Sequence, residues 1–153
     1  PDQSSAASDV YKRQPVTLKT VTDDLGVKKD VSSFVIPVGA TINMDGTAIM
    51  QGLATMFIAS TAGVDLSMIE YMQIVLLAMV ASIGAAAVPS AGTITLALIL
   101  SSLGLPLDAI GLILAVDRIL DMIRTSVNVT GDSAVACIVA NSENLLDKQV
   151  FNK

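Results

Sequence analysis

Asp117, Asp121, Arg124, Asn128 and Asp132 recur at intervals of three and four inside an otherwise apolar run at 105–140. At about 100° per residue they fall within an arc of roughly 80°, along about 22 Å of helix. A charged side chain at mid-membrane costs about 2.5–3.5 kcal/mol on insertion scales, so such residues face a protein interior or an aqueous cavity and mark an ion or substrate path. A membrane helix carrying one structural Asp–Arg pair is the simpler alternative. Four ionisable groups and an amide in register point to the path instead. Arg118 is rotated off this face and reads as a structural or lining residue.

The rest of the chain has to position that stripe, and composition sets the environment. Hydrophobic residues make up 52% of the 153 residues and charged residues 15%, and the mean hydropathy is +0.67. Together these exclude an ordinary soluble domain and indicate a helical membrane protein. A net charge of −5 without a basic patch or interleaved aromatics excludes nucleic acid as a partner. There is no His, and Cys137 is the single cysteine. Disulfides, imidazole or thiolate metal centres and His-based triads are thereby removed. With no nucleophile–base pair in view, an enzyme has no support. Cys137, among small residues, reads as a packing position.

In order along the chain, 1–14 is polar, has no secretory signal and matches nothing downstream in character; it reads as unassigned, disordered or foreign sequence. Residues 15–30 read as a helix end and a surface loop. The apolar stretch 31–62 is long enough to span but is interrupted by Asn43, Met44, Asp45, Gly46 and Thr47, types that favour side-chain bonds to backbone over continuous helix. Unwound backbone at membrane depth survives only where it is buried in protein or lines a cavity, and broken helices are how secondary transporters present carbonyls and helix ends to cations and anionic substrates. A kink stabilised by Asn43 and Asp45 is the local alternative. A second apolar stretch, 72–102, is broken at 82–93 by small residues and Pro89. Flanks of about ten residues are too short to cross a core that needs about twenty, which suggests a re-entrant hairpin; one spanning helix bent at Pro89 fits the pattern too. Residues 103–107 form a turn into the polar helix at 105–140, and 141–153 reads as a solvated tail. Lys and Arg are too evenly spread to orient the spans. A sequence that opens on Pro and enters the membrane pattern midway looks like a fragment.

Three ordered motifs now resemble one family: V-G-A-T-I-N-M-D-G-T at 38–47, the small-residue tip at 81–92, and D-x-x-x-D-x-x-R-T-x-x-N-x-x-x-D at 117–132. They are similar to the dicarboxylate/amino acid:cation symporters, the excitatory glutamate transporters and their prokaryotic relatives. The resemblance covers about 15–140 and corresponds to the C-terminal part of such a transporter, with the scaffold and nearly all of a first hairpin, ending near Pro15, Val16 and Thr17, outside it. It implies an all-α membrane protein in which 31–140 is part of a mobile transport domain: a broken helix, a re-entrant hairpin acting as lid, and a substrate-binding helix. It implies further a homotrimer assembled through the scaffold, elevator-type alternating access, and a multi-pass place in the plasma or inner membrane.

The resemblance also implies residue roles. Arg124 would grip a substrate side-chain carboxylate, for which a guanidinium offers a planar fork. Asp121 would take the substrate ammonium. Read from spacing alone, Asp117, two turns before Arg124 on the same face, is the partner that orients Arg124. Thr47, Thr125 and Asn128 would add neutral hydrogen bonds, and the backbone of Ala87, Val88 and Gly92 would close over the ligand. Relatives that carry neutral amino acids lack an arginine at this position, so glutamate or aspartate is implied. For sodium (Na+), one site would use Asn43, Asn128, Asp132 and the Gly39 carbonyl; a second Thr41, Met44 and the carbonyls of Ser82, Ile83 and Ala85; a third Asp45 with Asn43. Apart from the Met44 thioether these are hard oxygen donors, which suit an alkali cation. No other cofactor is implied. Ala87 and Ser90 stand where glycine is common in some relatives, a departure that bears on lid mobility.

Charge gives a separate argument for coupling. Asp45, Asp121 and Asp132 against Arg124 leave −2, and an acidic amino acid adds −1. Desolvating that sum calls for about three monovalent cations, each worth about 2.3 kcal/mol per 100 mV of membrane potential. Proton coupling or a C4-dicarboxylate substrate is the near alternative. It is disfavoured by Met44, Thr47 and Asp132, which proton-coupled relatives tend to lack, and by Asp121, which would repel a second carboxylate. A polar face lining an ion channel is the alternative of another class, and it gives no reason for a small-residue hairpin beside the pore.

Overall fold

The computed structural model describes residues 6–84 and 91–152, with side chains from 14–83 and 92–152. Every regular element among them is helical, as the long Ile, Leu, Val, Ala and Met runs lead one to expect: α1 (Ala6–Asp23), α2 (Lys29–Ile42), α3 (Asp45–Thr61), α4 (Met68–Gly84), α5 (Ala91–Ser102), a 3-10 turn (Leu107–Ala109), α6 (Ile110–Leu114), α7 (Asp117–Ser142) and α8 (Lys148–Phe151). α1 runs through Pro15 and begins within the stretch that sequence leaves unassigned. The start of α4 is held by reciprocal capping: the Ser67 amide and hydroxyl both donate to the Glu70 carboxylate at 2.7 Å. Those bonds, the backbone one foremost, hold the Glu70 carboxyl below the usual carboxylate range.

The interruption at 43–47 is real and narrow. Asn43 and Met44 leave the helical region, with φ/ψ of −95/73° and −106/54°, and separate α2 from α3. Asp45 then opens α3, where a carboxylate complements the positive end of the helix. The polar helix also begins later than the apolar run suggests. A turn at Ala115 and Val116 divides it, so α7 starts at Asp117. Its 26 residues reach about 39 Å, yet its polar stripe lowers its hydropathy. Among the described residues no helix is both long and apolar enough to cross a membrane.

Two apolar cores brace the arrangement. Ala54, Ile58 and Ala59 of α3 pack with Leu96 and Leu100 of α5 and with Leu105 and Ile113. Val21, Val27, Val31 and Ile36 pack with Ala136 and Ala140 of α7. The C-terminal segment is tied down at one point that its polarity does not predict. Val27 and Leu146 form an isolated antiparallel bridge, with Lys28 donating to the Leu145 carbonyl at 3.1 Å and Asp147 to the Gly26 carbonyl at 2.8 Å. Gly26 sits there at φ +71°, against the Asp147 backbone, where no larger residue fits.

Candidate functional site

Between the two cores, the middle of α7 crosses the break between α2 and α3. Asp121, Arg124, Thr125, Asn128 and Asp132 are all buried there, as are Met44 and Thr47 across from them. The α7 stripe therefore faces protein, as charges of this kind must. Each polar group meets a partner. The first amides of a helix have no partner within it, and the Gly46 N–H at the start of α3 donates to Asn128 Oδ1 at 2.8 Å. Asn128 Nδ2 donates to Thr47 Oγ1 at 3.4 Å. Asn43 Nδ2 donates to Asp132 Oδ1 at 3.1 Å. One side chain of α7 thus caps α3 and another holds the residue at which α2 ends.

Arg124 forms its ion pair with Asp121, one turn away. Sequence assigns that orienting role to Asp117, and the geometry corrects it. Asp117 is the first residue of α7, where its charge complements the helix end, while Asp121 shares the burial of Arg124 and a buried charge needs a buried partner. Thr125 donates to the Asp121 carbonyl at 2.8 Å, so its hydroxyl serves its own helix.

Of the positions proposed for cations, Gly39, Asn43 and Asp132 come together. Gly39 lies directly against the Asp132 carboxylate, where a Cβ would not fit, and its carbonyl accepts from the Asn43 amide at 2.7 Å. Asp45 belongs to the same neighbourhood through Gly131, as described below. The second set is less concentrated. Thr41 donates to the Val38 carbonyl at 2.7 Å, Ser82 donates to the Met79 carbonyl at 2.8 Å, and Ile83 is exposed. Ala85, Ala87 and Val88 lie outside the described residues. Gly92, at the start of α5, is close to Arg124: a Cβ on it would stand 2.9 Å from Nη1. Among the described residues no three His, Cys, Asp or Glu side chains gather as a metal site; the donors near Asp132 are amide, carbonyl and carboxylate oxygens.

Three residues of the site escape sequence reasoning. Gly131 lies where a Cβ would meet Asn43 Nδ2 at 2.9 Å and Asp45 Oδ2 at 3.3 Å. A glycine inside a helical pattern is the signal that marks such a close approach. Gln51 is fully buried and donates to Thr95, joining α3 to α5; its Oε1 has no hydrogen-bond partner among the described residues. A lone amide in an apolar helix was the available signal. Met50, read only as apolar, lies with its sulfur 3.8 Å from Arg124 Nη1.

Known proteins carry the same arrangement of sequence. The model of the sodium:dicarboxylate symporter family matches residues 3–142. The chain is 52% identical over 125 residues to an excitatory amino acid transporter of Caenorhabditis elegans, covering 82% of this chain and 25% of that protein. It is 54% identical over 125 residues to excitatory amino acid transporter 2 of Mus musculus, covering 82% and 22%, and 50% identical over the same length to excitatory amino acid transporter 1 of Rattus norvegicus, covering 82% and 23%. The chain thus spans about a quarter of the length of these relatives. With a matched region that takes in the helix break, α4, α5 and the whole of α7, the chain belongs to the sodium:dicarboxylate symporter family, a family of membrane transporters and not of enzymes.

Proposed function

We propose that the full-length protein containing this chain is a sodium-coupled symporter for an acidic amino acid, glutamate or aspartate, in the plasma or inner membrane. The observation that carries this reading is Arg124, nine-tenths buried, with one terminal nitrogen on Asp121 and the other beside Gly92 and Met50. A guanidinium held in this way binds a carboxylate strongly and with defined geometry. The Asp121 carboxylate takes the substrate ammonium while it pairs with Arg124. Thr47, Thr125 and Asn128 add neutral contacts. Sodium enters as co-substrate at three places, one near Gly39, Asn43, Asn128 and Asp132, a second near Thr41, Met44, Ser82, Ile83 and Ala85, and a third near Asp45 and Asn43.

In this reading 31–140 is the C-terminal part of a transport domain. α4 and α5 are the arms of a re-entrant hairpin whose tip, with Ala87, Val88 and Gly92, closes over the ligand. The domain moves against a trimeric scaffold formed elsewhere in the protein. The outward faces support a membrane setting: Met68, Met72, Leu76 and Val80 along α4, and Ile119, Met122 and Ile123 along α7, are exposed apolar residues, and apolar stripes of this kind mark protein or membrane contact faces. The Asp121–Arg124 pair also favours a second reading. A neutralised Asp121 repels a second carboxylate less, so a C4-dicarboxylate is the alternative substrate.

The test is ligand-driven thermal stabilisation of the full-length protein in detergent, since a ligand that prefers the folded state raises the melting point. L-Aspartate, L-glutamate and succinate are titrated in sodium and in choline. Stabilisation by aspartate or glutamate in sodium alone is expected. Equal stabilisation by succinate without sodium would overturn both the substrate and the coupling ion.

A further inference from the structure

The two terminal nitrogens of Arg124 have unlike neighbours. Nη2 is ion-paired to Asp121. Nη1 points at the Met50 sulfur, 3.8 Å away, and at the backbone of Gly92, where a Cβ would come within 2.9 Å of it. A thioether is a weak acceptor, and the methionine side chain is soft and adaptable. Met50 lies one turn beyond Thr47 on α3 and packs against the core of Ala54, Ile58, Leu96 and Leu100. It therefore reaches from that core to the guanidinium and covers it without offering it an oxygen. An ion-paired fork has one edge engaged, and what stands at the other edge decides whether a ligand carboxylate can have it.

We propose that Met50 is a specificity-determining residue. It fills the space beside the Nη1 edge of Arg124 without competing for it, and so reserves that edge for the side-chain carboxylate of an acidic ligand. This rests on the acidic amino acid reading above. A carboxamide or carboxylate at position 50 would engage Nη1 while Asp121 engages Nη2. The fork would then be saturated from both sides, and a carboxylate at 50 would also place a second negative charge against the ligand. An apolar side chain of similar volume would do neither.

The experiment is sodium-driven uptake by the full-length protein in proteoliposomes, comparing Met50→Leu, Met50→Gln and Met50→Glu, with KM and maximal rate for L-aspartate and L-glutamate and competition by neutral L-serine. Met50→Glu should raise the acidic-substrate KM by about tenfold or more, which is about 1.4 kcal/mol per decade. Met50→Gln should raise it less, and the conservative Met50→Leu should stay within about threefold of the parent. In Met50→Glu the competition by L-serine should strengthen relative to L-aspartate, a shift that lost packing would not produce. An unchanged acidic KM in Met50→Glu overturns the proposal, and so does a loss in Met50→Leu as large as that in Met50→Glu. If Met50→Glu does not reach the membrane, Met50→Gln decides by the same criteria. An unsubstituted protein without sodium-driven acidic uptake would instead break the reading beneath, which the parent measurement alone reveals.

Discussion

The buried stripe of α7 has two halves of opposite character. From Asp121 to Asp132 it carries two carboxylates, a guanidinium, a hydroxyl and an amide; one turn and two turns further on it continues as Ala136 and Ala140, both fully buried. Helix, face and degree of burial are the same, and only the chemistry differs. The apolar half closes against Val21, Val27, Val31 and Ile36, where small alanines let helices approach and nothing needs a partner. The polar half lies against a helix that is broken, and the break supplies what it needs: the Gly46 amide for Asn128 and the Asn43 side chain for Asp132. Polar stripe and interruption are two parts of one device, since neither could be buried against an intact apolar surface without stranding polar groups.

The sharpest way to break the comparison is to move the polar chemistry one turn along. Ala136→Asp places a carboxylate at a fully buried position facing Val and Ile side chains, and should destabilise the full-length protein by about 3–5 kcal/mol. It should appear as aggregated material on size-exclusion chromatography in detergent. A monodisperse variant would mean that this half is not closed. Truncation in the polar half should act differently. Arg124→Ala strands the Asp121 carboxylate at a cost of about 2–5 kcal/mol and should abolish acidic amino acid uptake even in the fraction of protein that remains monodisperse. Unchanged glutamate or aspartate uptake would sink the role given to Arg124.

Two glycines sharpen the contrast on a smaller scale. Gly131→Ala puts a methyl 2.9 Å from Asn43 Nδ2, so that side chain must give way and its bond to Asp132 weakens, with an expected loss of about 1 kcal/mol read as a lower melting temperature. Gly52→Ala, in α3 where a Cβ meets nothing within 4 Å, should gain about 0.5–1 kcal/mol from helix propensity. Equal responses at the two positions would show that the close approach at Gly131 is not tight.

The polar face of α7 was legible because period and chemistry coincide: charges at three- and four-residue spacing in an apolar run have one geometric reading. The break at 43–47 was legible because Asn, Asp and Gly together oppose helix. The start of α7 at Asp117 was not, since Ala115 and Val116 carry no stop signal and the apolar run passes through them without change. Nor was the clasp between Val27 and Leu146, which joins positions far apart in sequence within a segment whose polarity suggested only solvation. Met50 was invisible for a related reason, because an apolar residue beside a core reads as core until the atom it points at is known.

By itself the sequence determined the helical class, the polar stripe, the interruption and, through three ordered motifs, the family. These follow from composition, from spacing along one helix and from local backbone preference, none of which needs a contact between distant residues. Tertiary structure decided which carboxylate holds Arg124, which amides cap which helix, why Gly131 must be small and what stands at the free edge of the guanidinium. Those are choices among several chemically equal candidates, and only the packing of α7 against α2 and α3, with Gly92 beside Arg124, brings one of them within bonding distance.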